Sequence, residues 1–264
     1  MIISMILHIS ARHILLLSLA LLITTPVWAM IPLDRGELRF RGQVIDMAPK
    51  WRWHIASPPQ RWSVDMADAQ HSAAGWRFDL GDKTPLPFLE GHLFRLAERG
   101  GHDMVPQITF SSGDTPLTVM QGAGNMDQRF STSIPVRHPD SGETIGSLQF
   151  TVEQALGVAL AGSPEGRVPL TLVRGSTVAS PYPHALSTEL GQRLRTLLAM
   201  NTGMQHGVGE MSGQAVEQWL LQDSDTTHIA AAYASQLSDF SLHFLGEARP
   251  EKWQAQLNVS VTVY

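Results

Sequence analysis

Short runs of strictly alternating apolar and polar residues limit most what this chain can fold into. They occur at 37–44, 51–55, 62–66, 105–110, 130–136, 145–152 and 168–173, and most plainly at 257–263, which reads Leu-Asn-Val-Ser-Val-Thr-Val. A strand turns successive side chains to opposite faces, so a period of two over five to eight residues marks a strand with one buried face. Turn-forming clusters separate the runs, at Pro139–Gly142, Ser112–Asp114 and Ser163–Gly166. Many short strands punctuated in this way predict a mainly β protein of the sandwich class.

One stretch has a different period. Leu186, Leu190, Leu194, Leu197 and Leu198 follow helical spacing, with Ser187 placed as an N-cap. The runs 213–221 and 226–237 also read as helical, the second with Thr226 near the cap, and a Gly- and Met-containing linker at 201–212 lies between. Strands on both sides and a strand at the end of the sequence predict a partly helical insertion at about 180–238.

The first 29 residues carry a basic pair, Arg12-His13, a ten-residue apolar run from Ile14 to Ile23, and Val27-Trp28-Ala29 with compact residues at the cleavage positions. That order reads as a secretory signal peptide cut after Ala29. The apolar run is too short for a membrane span, which needs about 20 residues. Cleavage removes one arginine and no acid, taking the net charge from −5 to −6. With no basic concentration, nucleic acid is not expected as a partner. The chain has no cysteine, which excludes thiol catalysis, disulfides and cysteine–zinc sites. The 235 residues that remain are enough to bury a core without cross-links.

No motif announces catalysis, and neither a cofactor nor a metal is expected. The eleven histidines are scattered, with no pair at metalloprotease spacing, and His92 and His102 read as structural or solvated. No Gly-x-Ser-x-Gly elbow is present. Asp103, Asp114 and Asp140 fall at turns, where a carboxylate bonds its own backbone. Gly122-Ala-Gly124 and Gly207-Val-Gly209 lack the strand-to-helix setting of a phosphate loop. Trp51 and Trp53 share one strand face and read as core, as does Trp219 on its expected helix. Trp76 is the tryptophan least accounted for.

Several segments in order resemble a known family. They are Pro49–His54, Lys83–Leu89, Val105–Phe110, Ile145–Phe150, Ala231–Ala234 and, most specifically, Lys252–Tyr264. Together they resemble the FaeG-type subunits of chaperone–usher fimbriae along most of the chain. Gly36–Asp46 is similar to the Gly-x-Val-x-Phe-x-Gly-x-Val stretch near the start of many pilins. The resemblance implies an incomplete immunoglobulin-like β-sandwich, completed by a donor strand, with a partly helical insertion. It implies a structural subunit, with a minor subunit favoured, and no enzyme. The alternative is a carbohydrate-binding adhesin on the same scaffold, whose glycan site is not transferable because the helical region differs. Implied partners are a periplasmic fimbrial chaperone, an outer-membrane usher, other fimbrial subunits and, for the adhesin reading, host glycans. Export through the periplasm to a surface fimbrium follows.

Residue by residue, the expected organisation is a signal peptide at 1–29, an N-terminal donor-strand extension at 30–45, and the incomplete domain at 46–264. Ile31, Leu33, Leu38, Phe40 and Val44 would be the groove-filling side chains, with Gly42 at a shallow place. In the competing reading 37–46 is the first strand of the chain's own sandwich, and only Ile31 and Leu33 anchor. At the other end, Leu257, Val259, Val261 and Val263 stand on one strand face and Asn258, Ser260, Thr262 and Tyr264 on the other. This strand is the expected chaperone-binding edge, with Tyr264 presenting a carboxylate to the chaperone; the ordinary alternative is a core strand paired on both sides.

Overall fold

The computed structural model describes residues 50–81, 84–117, 129–160, 167–174, 186–204, 207–246 and 250–263. The segments expected as signal peptide (1–29) and donor-strand extension (30–45) lie outside the described residues, as does Tyr264. Two strands of 17 residues each, β8 (Thr144–Leu160) and β11 (Ile229–Leu245), pair antiparallel along most of their length and form the spine. At about 3.3 Å per residue each extends roughly 56 Å, enough to run under two separate cores. β4 (Leu86–Leu93) pairs one half of β11, and β3 (Gly75–Asp79) pairs the other. β1 (Trp51–Ile55) is the edge beyond β4, and β2 (Gln70–Ser72) the edge beyond β3. On the far side of β8 lie β7 (Arg129–Arg137) and the two-residue β12 (Gln254–Ala255). β9 (Val168–Arg174) joins the other half of β8 and pairs in parallel with β10 (Val208–Glu217). A second sheet has the order β13–β5–β6: Asn258–Thr262, Gln107–Ser112 and Thr115–Pro116.

Burial along the spine explains its sequence. The first half of β8 alternates, and from Phe150 to Ala159 every residue is buried. The change marks where the outer face of the large sheet acquires a cover. That cover includes helix α1 (Thr188–Ala199), whose Leu190, Leu194, Leu197 and Leu198 are buried against Ala155, Ala159, Ala230, Ala232 and Ala234. Small side chains on the sheet let the helix approach closely. A Cβ at Gly157 would stand in ordinary contact with Leu194 of α1 at 3.6 Å but would crowd Leu170 Cδ1 of β9 at 2.6 Å. Ser187 caps α1 as the sequence predicts, accepting from the Leu190 N–H at 3.3 Å.

Two helix readings need correction. Residues 226–237 are not helical; from Ile229 they belong to β11. The alanines favour a helix intrinsically, but Ala230, Ala232 and Ala234 face α1 while Ile229, Ala231 and Tyr233 face the inner core. The stretch 213–221 is mostly strand: β10 runs to Glu217, and only Gln218–Gln222 forms a helix, α2. The linker 201–212 likewise ends inside β10, so helix in the 180–238 region comes down to α1 and one short turn among the described residues. Trp219, expected in the core, is 64% exposed. Residues 62–65 alternate in burial like a strand but pair with none among the described residues, and Met66, exposed, opens a 3-10 turn (Met66–Asp68).

Candidate functional site

The candidate site is an apolar trough between the two sheets, bordered by the last strand. The chain reaches it by changing sheets: Gln254 and Ala255 pair with Arg137 and Val136 of β7, and from Asn258 the chain pairs with β5. Gln256 and Leu257 make the crossing, which closes one corner of the sandwich. The opposite side stays open. β13 pairs antiparallel with β5 only, with Val259 opposite Phe110 and Val261 opposite Ile108, so its other backbone edge has no strand partner among the described residues.

Two adjoining cavities, about 380 and 290 Å³, make up the trough. They meet at Gln60, Leu86, Leu237 and Leu257, which line both. The larger has Phe150, Phe240, Trp62 and Trp253 in its walls; the smaller has Ile55, Pro58, Pro59 and Phe88. Pro58 and Pro59 have no N–H to give a sheet, which suits a segment crossing from β1 over the core without pairing. Ala56 makes the last backbone contact, its N–H donating to Phe88 O at 2.7 Å. Trp62 then lies edge-on to Phe240, ring centres 4.7 Å apart.

The inner wall beside β1 is aromatic. Trp51 and Trp53 stack at 4.9 Å, and Trp53 also meets Tyr233 at 5.8 Å. Trp53 lies flat over Gly91, its partner residue on β4. The Trp51 indole N–H donates to Asp103 O at 3.0 Å. Val259 and Val261 pack on the same cluster as these tryptophans. Burial raises the Tyr233 pKa well above its ordinary value, so the phenol stays neutral and donates to Gln154 Oε1 at 2.7 Å.

Arg61 lines the larger cavity, and the ionisable groups with shifted pKa values lie elsewhere. Asp239 sits at the bulge in β11 with φ 52°, a conformation that Asp tolerates. Burial pushes its pKa up, but hydrogen bonds from Thr151, Ser238 and Arg129 outweigh that and hold it below the usual carboxylate value. Among the described residues no group of three or more His, Asp or Glu could hold a metal ion. The trough offers a largely apolar surface beside the turn into β13.

Residues 11–264 match the family described as fimbrial, major and minor subunit. The chain belongs to this fimbrial subunit family. A comparison with curated proteins finds no match. The family places the protein in a surface fimbrium, among other fimbrial subunits.

In this fimbrial subunit Leu257 lines the trough, while Val259 and Val261, half-buried, pack on the adjoining core and Ser260 and Thr262 point to solvent. Val263 lies beyond the strand and is 37% exposed. The suggested donor residues Ile31, Leu33, Leu38, Phe40, Gly42 and Val44 lie outside the described residues. Sequence reasoning missed the other wall of the trough: Trp62, Leu86, Leu237, Phe240 and Trp253. The only signal was Pro58-Pro59 ahead of an alternating run, which argues against ordinary sheet pairing there.

Proposed function

We propose that this fimbrial subunit is a minor structural component of a chaperone–usher fimbria, and that the trough beside β13 accepts a strand from another chain. What supports the reading is an apolar trough that reaches Leu257, the residue leading into β13, together with a backbone edge of β13 that has no strand partner among the described residues. Each feature alone is costly in water or invites non-specific pairing. One extended peptide relieves both, its backbone pairing with β13 and its alternate side chains entering the trough. In this reading a periplasmic chaperone fills the trough first, and the usher then exchanges it for residues 30–45 of the next subunit. Ile31, Leu33, Leu38, Phe40 and Val44 supply the side chains and Gly42 the shallow place. The terminal strand through Val263 and Tyr264 is the chaperone's docking edge, and register there decides which face of every residue is inward.

Two variants test this. Deleting residues 30–45 should leave a subunit that binds its chaperone and cannot join a preceding subunit. Attaching a copy of 30–45 by a flexible linker after Tyr264 should give a soluble monomer that unfolds cooperatively without chaperone. A deleted chain that is monodisperse and cooperative on its own, with no chaperone, refutes the reading.

A further inference from the structure

The face of the large sheet that turns away from the trough carries a compact charged cluster. β1 contributes Arg52 and His54 to it, and β4 contributes their cross-strand partners His92 and Glu90. The Glu90 carboxylate is almost fully buried, with 1% of its side chain exposed. Arg193 of α1 donates to both its oxygens, and His54 Nε2 lies 3.1 Å from Oε2. Three elements are therefore joined at one carboxylate: edge strand β1, strand β4 and the covering helix.

His92 has no such anion. Arg52 lies directly opposite on β1, its guanidinium held 4.0 Å from the centre of the Phe94 ring. His54, on β1, is the other imidazole of the cluster, charged only when protonated. On its own strand the nearest acid is Glu90, already engaged by Arg193. On its other side β11 presents Ala232, which has no polar side-chain atom. His92 Nδ1 is buried without a hydrogen-bond partner.

We propose that this cluster is an acid-sensitive latch, in which protonation of His92 opposite Arg52 loosens edge strand β1 from the sheet. Burial first, and then the charges of Arg52 and His54, lower the pKa of His92 below the ordinary imidazole value. A group so lowered binds its proton less readily folded than unfolded. Its contribution to stability is present above the unfolded value of about 6.5 and is lost as pH falls below it towards the folded value. Protonated His54 strengthens its own contact with Glu90, and its charge adds to the repulsion on His92. Among the described residues β1 pairs only with β4, and Ile55 at its end lines the trough, so the latch controls one wall of that trough. The proposal does not depend on what fills the trough.

Hydrogen exchange on the exported full chain, purified with whatever partners it retains, tests the latch at pH 7.5 and pH 5.0 after correction for intrinsic rates. The amides of Trp51–Ile55 should lose protection by up to about tenfold per pH unit of His92 depression, with β8 and β11 unchanged. His92→Gln should keep β1 protected at pH 5.0. Arg52→Gln, which leaves the imidazole in place, should raise the His92 pKa seen by NMR and shrink the effect, and it keeps the test open if the first variant folds poorly. Unchanged β1 protection in the wild type, an equal loss in His92→Gln, or a His92 that titrates at or above 6.5 overturns the proposal.

Discussion

Gly91→Ala is a small change with a large expected consequence. A Cβ at this position would lie 2.3 Å from Trp53 Cε3, 2.4 Å from Cζ3 and 2.7 Å from Cδ2. Ordinary carbon contacts begin near 3.5 Å, so the indole must move by about 1 Å. It cannot move freely, because Trp51 stacks on it at 4.9 Å and Tyr233 packs at 5.8 Å. Overpacking a filled core in this way costs about 1–3 kcal/mol. In a domain of this size that lowers Tm by roughly 2–4 °C per kcal/mol, or about 2–12 °C in all. Thermal unfolding of the strand-filled subunit, followed by circular dichroism, measures it. Trp53→Leu, destabilising by itself, should be less so in the Gly91→Ala background, because the clash is then relieved; residues in contact couple by about 0.5–3 kcal/mol. An unchanged Tm for Gly91→Ala, or strict additivity of the two substitutions, refutes the packing argument and with it the aromatic cluster on which Val259 and Val261 pack.

Val261→Asp places a charge against the aromatic cluster, where no described cation faces it, and should sharply lower the periplasmic yield of folded subunit; yield equal to wild type by quantitative immunoblot contradicts the role of this face. Leu194→Ala in α1 empties a fully buried site over Gly157 and should cost about 2–5 kcal/mol in denaturant unfolding, without changing which strands pair. Ser187→Ala removes the α1 cap and a partner of Gln236 (2.9 Å) and should cost about 0.5–2 kcal/mol by the same measurement.

The trough itself was only half legible before the fold was known. Its β13 side is written in the alternation of 257–263, because burial of one strand face forces a period of two wherever it occurs. The facing wall comes from residues far apart in sequence: Trp62, Leu86 and Leu237 meet there only because β4 and β11 pair and the Pro58-Pro59 segment crosses them. None of those residues stands in a pattern of its own.

Local pattern determined the mainly β class, the strands at 51–55, 130–136, 145–152 and 168–173, and helix α1 with its Ser187 cap, since each depends on which side chains a short segment must bury. Tertiary structure decided the Ala-rich run. Residues 229–237 carry the intrinsic preference of a helix, and became strand because α1 covers one side and the aromatic core the other, leaving room on the covered face only for methyl groups. It decided Trp219 as well, which stands exposed in the short helix α2 rather than on a core face. The open edge of β13 belongs to the same class. Whether a strand is paired on one side or two is a relation between distant segments, and no run of residues encodes it alone.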